Sequence, residues 1–258
     1  MKMQTCKLFG FDFINAAHVA EVVDDVMRAI QIGNSVQHIV TPNAYLLQEL
    51  NKEGKESLLH FAQSAKWVLP DGMPIVWLSK LKYKNALKAR LTGSDLFPVL
   101  WERIKQEHLA ATFVLPNTQL GNLFCQEYPA CNVCTPAFFD AADEAYINFL
   151  AHDVCQLVSA QNSRFLFIGL GDPKQSLIGI QVARLYEQQH PGKQLIIAYL
   201  GASFEFYHGY KARAPQWITQ LGLEWLYRFY KEPKRLWKRY TVGNFRFLLI
   251  AFKELMKK

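Results

Sequence analysis

The chain has 258 residues, half of them hydrophobic and a fifth charged, with a formal net charge of +7. This composition excludes disordered and collagen-like chains, and the length suits one large α/β domain with an appendage better than two modest domains. No uninterrupted apolar run reaches roughly eighteen residues, so no spanning helix is expected; Met1–Gly10 has no small-residue cleavage site, which argues against a secretory signal and for a cytoplasmic protein.

Short β-branched or aromatic runs alternate with longer segments of helical period, the pattern of βαβ units around a mainly parallel sheet. Strands are predicted at Lys7–Phe13, Gln37–Val40, Lys66–Leu69, Ala111–Leu115, Arg164–Ile168 and Gln194–Leu200. Helices are predicted near His18–Ile32, Ala44–Asn51, Glu56–Gln63, Pro74–Leu81, Ser94–Glu107, Gln119–Glu127, Asp143–Ala160 and Pro173–His190. The fold class is therefore α/β, with a Rossmann-like, mainly parallel sheet and flanking helices. After Gly201 the rhythm stops, and helices are predicted at Ala214–Gly222, Glu224–Lys231, Lys234–Tyr240 and Asn244–Lys257, punctuated by Pro233 and Gly243-Asn244. The domain reading is an α/β body over residues 1–206 and a basic aromatic helical appendage over 207–258.

Five cysteines at irregular spacing fit a reduced compartment rather than a disulfide framework. Cys131 and Cys134 form a CxxC with Cys125 nearby, but a structural zinc takes four ligands, no second CxxC exists, and His108 and His152 are not at finger spacing. Small semi-buried cysteines near a strand end are expected there, with no metal site and no cofactor.

In open α/β sheets ligands bind beyond the carboxyl ends of the strands, and these positions are polar here. Thr41-Pro42-Asn43 puts a hydroxyl and a carboxamide before a helix, where they serve either a sugar or nucleotide or a helix cap. Leu69-Pro70-Asp71-Gly72 holds a carboxylate that could act as a general base, or simply form a turn. Arg90 to Asp95 combines an Arg, Gly93, Ser94 and a helix start, suited to a phosphate or sugar oxygen, with Ser94 or Asp95 as a plain cap in the competing reading. Gly169 to Gln175 describes a tight strand-to-helix crossing with Gly171, Lys174 and Gln175 toward a ligand, and Gly201 to Phe206 again supplies small residues at a strand end. Together these ends describe a cleft for a polar, phosphate-bearing small molecule.

The last fifty residues, Gly209–Lys258, carry twelve Lys and Arg against three acidic residues, so the other 208 residues carry a net charge of about −2. A local basic patch interleaved with Trp, Tyr and Phe suits nucleic acid, a nucleotide diphosphate or an anionic membrane surface; a solvated amphipathic helix pair is the plain alternative. The acidic balance of the body disfavours nucleic acid.

In this order, Thr41-Pro42-Asn43, Leu69-Pro70-Asp71-Gly72, Thr92-Gly93-Ser94-Asp95-Leu96, Gly171-Asp172-Pro173-Lys174-Gln175 and the segment from Arg213-Ala214-Pro215 to Arg246-Phe247 resemble the WecG/TagA/CpsF family of bacterial glycosyltransferases. The resemblance implies an inverting transfer of a sugar, often N-acetylmannosamine or its uronic acid, from UDP to an undecaprenyl-diphosphate-linked saccharide in cell-surface polysaccharide biosynthesis. It implies Asp71 as the general base, Thr41 and Asn43 as orienting groups in the catalytic pocket, and Arg90 and Gln175 as further pocket residues. It also implies that the appendage covers the pocket, with Arg228, Arg235 and Arg239 toward the nucleotide diphosphate, and meets the anionic inner face of the cell membrane as a peripheral protein. The chain departs from the family pattern at Leu115-Pro116-Asn117, Ser176, Gly201-Ala202, Glu205 and Lys238. A homo-oligomer is compatible with this picture, no nucleic-acid partner is expected, and a catalytically impaired relative that assembles with a membrane glycan synthase is the alternative. Removing the tail before Gly209 is expected to leave a folded body that has lost turnover and membrane association.

Overall fold

The computed structural model describes residues 3–212, 214–215, 218, 224–231 and 242–257. Strands β1 (Thr5–Leu8), β2 (Phe11–Ile14), β3 (Val36–Val40), β4 (Trp67–Val68), β5 (Ala111–Val114), β6 (Cys131–Cys134), β7 (Phe165–Ile168) and β8 (Leu195–Tyr199) form one sheet in the order β1-β2-β4-β3-β8-β7-β5-β6. Only the β1–β2 pair is antiparallel. The helices are α1 (Val19–Ile32), α2 (Ala44–Leu50), α3 (Glu56–Ser64), α4 (Met73–Lys82), α5 (Gly93–Gln106), α6 (Thr118–Glu127), α7 (Glu144–Ala160), α8 (Lys174–Gln189) and the short α9 (Ser203–Tyr207), followed by Glu224–Lys231 and Val242–Met256.

The central strands explain the layering. In β7, Phe165 and Phe167 face one side and Leu166 and Ile168 the other, and all four are fully buried. A strand apolar on both faces is stable only between two helical layers, as parallel sheets require. One layer, α1, α5, α6 and α9, closes over an aromatic cluster in which Phe97 lies 4.7 Å from Phe204 and 5.4 Å from Phe167. The other layer contains α2, α3, α4, α7, α8 and the C-terminal helix Val242–Met256.

Three elements differ from the sequence expectation. Where one strand is predicted over Lys7–Phe13, the chain folds into the β1–β2 hairpin, with Leu8 opposite Phe11 and positive φ at Phe9 (56°) and Gly10 (79°). Two consecutive positive-φ residues match the right-handed twist of a two-residue hairpin. The CxxC segment is itself the edge strand β6, too short and too polar at Asn132 to show a period, and held parallel to β5 by backbone pairing. Residues 203–207 form α9 because Phe204 is driven into the aromatic cluster while Tyr207 donates to Glu127 Oε1 at 2.8 Å.

The C-terminal helix is docked onto the body. Phe247 and Ala251 are buried, the Phe247 ring is 6.1 Å from Phe9, and the helix contacts α2 and α4. Lys82 Nζ donates to Glu254 Oε1 (2.9 Å) and to the Glu254 carbonyl (2.5 Å), an ion pair with little exposure on either side. The helices predicted over Ala214–Gly222 and Lys234–Tyr240 fall largely or wholly outside the described residues.

Candidate active site

The carboxyl ends of β3, β4, β7 and β8 open into one cleft of about 1110 Å³. Thr41, Asn43, Asp71, Ser94, Gly171 and Gln175 all line it, so six of the residues singled out in the sequence converge. The cause is topological: neighbouring parallel strands deliver their C-terminal loops to the same edge, where the strand order switches direction. Gly93 stands just behind this lining, since a Cβ there would lie 2.9 Å from Ser203 Oγ, and Arg90 also lies outside it. Arg228 belongs to the helix Glu224–Lys231, while Arg235 and Arg239 lie outside the described residues.

Each wall is fixed by its own sequence. Asn43 is the N-cap of α2, its Oδ1 accepting the N–H groups of Tyr45 (3.1 Å) and Leu46 (3.0 Å). This engages the carboxamide oxygen and turns the amide nitrogen to be the end with capacity for a ligand. Asp71 is placed by its backbone N–H donating to the Pro42 carbonyl at 3.1 Å, which ties the β4 end to the Thr41–Asn43 turn. Gly72 follows with φ 151°, a conformation L side chains rarely adopt, so the turn that presents Asp71 needs glycine there.

At α5 the cap is Thr92, which corrects the alternative that assigns capping to Ser94 or Asp95. Thr92 Oγ1 accepts from Asp95 N–H (3.0 Å) and donates to Asp95 Oδ2 (2.7 Å), leaving Ser94 to meet Ser203 Oγ at 3.3 Å across the cleft wall. Cations and aromatics frame the mouth. Lys174 Nζ sits 4.5 Å from the ring centroids of both Phe138 and Phe139, Lys211 pairs with Glu205 at 2.6 Å, and Arg246 reaches the lining from the C-terminal helix.

The family profile "Glycosyl transferase WecG/TagA/CpsF family" matches residues 6–258. The chain belongs to the WecG/TagA/CpsF family of glycosyl transferases. It is similar to the N-acetylglucosaminyldiphosphoundecaprenol N-acetyl-beta-D-mannosaminyltransferase of Bacillus spizizenii, at 26% identity over 92% of this chain and 87% of the relative. A Staphylococcus aureus protein of the same name is 23% identical over 97% of this chain and 94% of its own length.

In this family member several cleft residues escape the sequence reading. The loop Pro136–Phe139 forms a wall because β6 extends the sheet by one strand, and without β6 that loop has no address. Tyr199, the last residue of β8, lines the cleft and meets His38 Nδ1 at 3.1 Å through its hydroxyl. Asp172 is visible in the sequence only as part of a turn, yet in the fold it accepts from Gln175 Nε2 and Ser176 Oγ, both at 2.6 Å. Burial raises its carboxyl above the usual range, and these two donors offset that only in part. Among the described residues no group of three or more His, Cys, Asp or Glu is arranged to hold a metal ion. Cys125 and Cys131 are 3.9 Å apart through sulfur, with burial raising the Cys131 thiol.

Proposed function

We propose that the protein transfers a sugar, with inversion, from a UDP-sugar to an undecaprenyl-diphosphate-linked saccharide at the inner face of the cell membrane. The observation that carries this is the convergence of Thr41, Asn43, Asp71 and Gln175 on one cleft in a chain of this family. The volume is slightly above the range of ordinary small-molecule sites and so has room for a donor and the sugar end of an acceptor. In the reaction the acceptor hydroxyl attacks the anomeric carbon as the bond to the UDP oxygen breaks. Asp71 takes the hydroxyl proton, and UDP leaves with the bonding pair. Ser94 and Gly171 bind the donor from the cleft wall, with Gly93 and Arg90 supporting that wall from behind the lining, while Arg228, Arg235 and Arg239 of the appendage offset the charge that grows on the departing diphosphate.

The membrane reading has its own support. Leu248, Leu249, Phe252 and Met256 are exposed along one side of the C-terminal helix, and Trp77 and Leu81 are exposed on α4, which that helix contacts. Lys253 lies on the same helix and Lys257 directly follows it. An apolar stripe with flanking cations suits the interface of an anionic bilayer, and Arg246 of this helix lines the cleft, so an acceptor whose lipid stays in the bilayer has a short path to Asp71. No helix among the described residues is long and apolar enough to cross a membrane.

The test is turnover of a panel of UDP-sugars with a short-chain lipid-diphosphate saccharide. Asp71→Asn is expected to lower kcat at least about a hundredfold, the scale of a lost general base; undiminished activity in that variant refutes the base assignment. The assembly-partner alternative requires that the wild type show no turnover with any donor.

A further inference from the structure

We propose that Asp172 is a positioning residue of the transferase: its carboxylate locks the Gln175 carboxamide across the cleft floor, so that Gln175 offers a bound UDP-sugar one fixed amide N–H. The proposal rests on the transferase reading above and assigns a role to a residue which that reading leaves unused.

Gln175 is only 6% exposed although it lines the cleft, and both ends of its carboxamide are engaged. Its Nε2 donates to Asp172 Oδ2 at 2.6 Å, and its Oε1 accepts the Gly201 N–H at 3.2 Å. The two contacts demand the same orientation, because a flipped amide would set oxygen against carboxylate and nitrogen against an N–H donor. The side chain therefore bridges the turn after β7 to the turn after β8, the two loops between which the cleft floor lies. What remains for a ligand is the second Nε2–H and one lone pair on Oε1.

Asp172 is itself held, its Oδ1 accepting from Ser176 Oγ at 2.6 Å one helical turn further along α8. Tyr199 stands beside it from β8, and the Tyr199 ring occupies the space that Gly179 leaves open, where a Cβ would come within 2.2 Å of the ring. A carboxylate placed in this wall, with burial working against its ionised form, is costly for stability alone. Its geometry accounts for its presence: it sets the rotamer and the donor face of a cleft residue, and a group held in one geometry loses less entropy when it binds.

The experiment compares steady-state kinetics of Asp172→Ala, Asp172→Asn, Gln175→Ala and the Asp172→Ala/Gln175→Ala double variant with UDP-sugars and the short-chain lipid-diphosphate acceptor. Asp172→Ala is expected to raise the donor KM about tenfold, the worth of one well-placed hydrogen bond, with kcat changed much less. Asp172→Asn keeps an acceptor for Gln175 Nε2 and a group for Ser176, so it is expected to restore the wild-type KM to within about threefold, with a melting temperature no lower than that of the wild type. The double variant is expected to be no worse than Gln175→Ala alone, because the two residues act as one unit. An unchanged KM in Asp172→Ala, an Asp172→Asn variant as impaired as Asp172→Ala, or full additivity in the double variant each overturns the proposal. A wild type that turns over no UDP-sugar refutes the transferase reading itself, and that result is seen before any variant is compared.

Discussion

Asn43 shows how one side chain serves fold and site together. Its oxygen caps α2 while its nitrogen is left out of the cap and the residue lines the cleft, so the two readings of Thr41-Pro42-Asn43, cap or ligand contact, are not exclusive. Asn43→Asp separates them, because a carboxylate caps as well as a carboxamide but cannot donate. The expectation is stability within about 0.5 kcal/mol of the wild type with a marked loss of turnover, whereas Asn43→Ala loses both, about 1 kcal/mol in stability by chemical denaturation. His38 is a second residue whose role appears only in the fold: partly buried against Phe61 and hydrogen-bonded to Tyr199, it has its pKa pushed down to about 4 by desolvation. Because the folded value lies below the unfolded one near 6.5, its neutral form favours folding fully above about pH 6.5 and that contribution is lost as pH falls toward 4. Thermal denaturation is expected to show a falling melting temperature over that window, and His38→Gln is expected to flatten the fall.

At the scale of elements, two contacts decide whether the cleft walls stay in place. Phe97 of α5 packs edge-on against Phe113, Phe124, Phe167 and Phe204, so it joins the sheet to α6 and α9. Phe97→Ala is expected to cost about 3–5 kcal/mol in denaturant unfolding, from lost contact and the cavity left behind, and to loosen α9, whose Ser203, Glu205 and Phe206 line the cleft. The Lys82–Glu254 pair plays the same part for the C-terminal helix. Burial works against ionisation of Glu254, but Lys82, the Phe9 N–H and Lys257 together hold its pKa below the usual range. Its contribution to docking is thus present above the unfolded carboxylate pKa and lost as pH falls through the lower folded value. Glu254→Leu leaves Lys82 with the helix carbonyl and Tyr83 but no carboxylate, and is expected to destabilise the protein by about 3 kcal/mol.

For the whole molecule, the docking of the last helix changes what truncation means. Phe247, Ala251 and Glu254 belong to the packed interior, so ending the chain before Val242 uncovers Phe9 and Lys82 and is expected to lower the melting temperature as well as to abolish co-sedimentation with phosphatidylglycerol vesicles. The domain reading of residues 1–206 and 207–258 rests on a change of composition, and the truncation measurement is what tests it. Much else was legible. Phe165–Ile168 and Leu195–Tyr199 announce themselves as central strands because both their faces are apolar, and Thr41, Asp71 and Gln175 follow as strand-end residues from the geometry of parallel sheets. Local period and local chemistry are properties of neighbouring residues, so the sequence by itself determined the α/β alternation, the polar carboxyl edge and the basic C-terminal segment. Only the tertiary structure decided that β6 brings Pro136–Phe139 to the rim, that Arg90 stands outside the lining, and that Asp172 holds Gln175 against Gly201. Those relations join segments distant in sequence or set a side chain's exact aim, and they follow from strand order and shared burial, which no local pattern encodes.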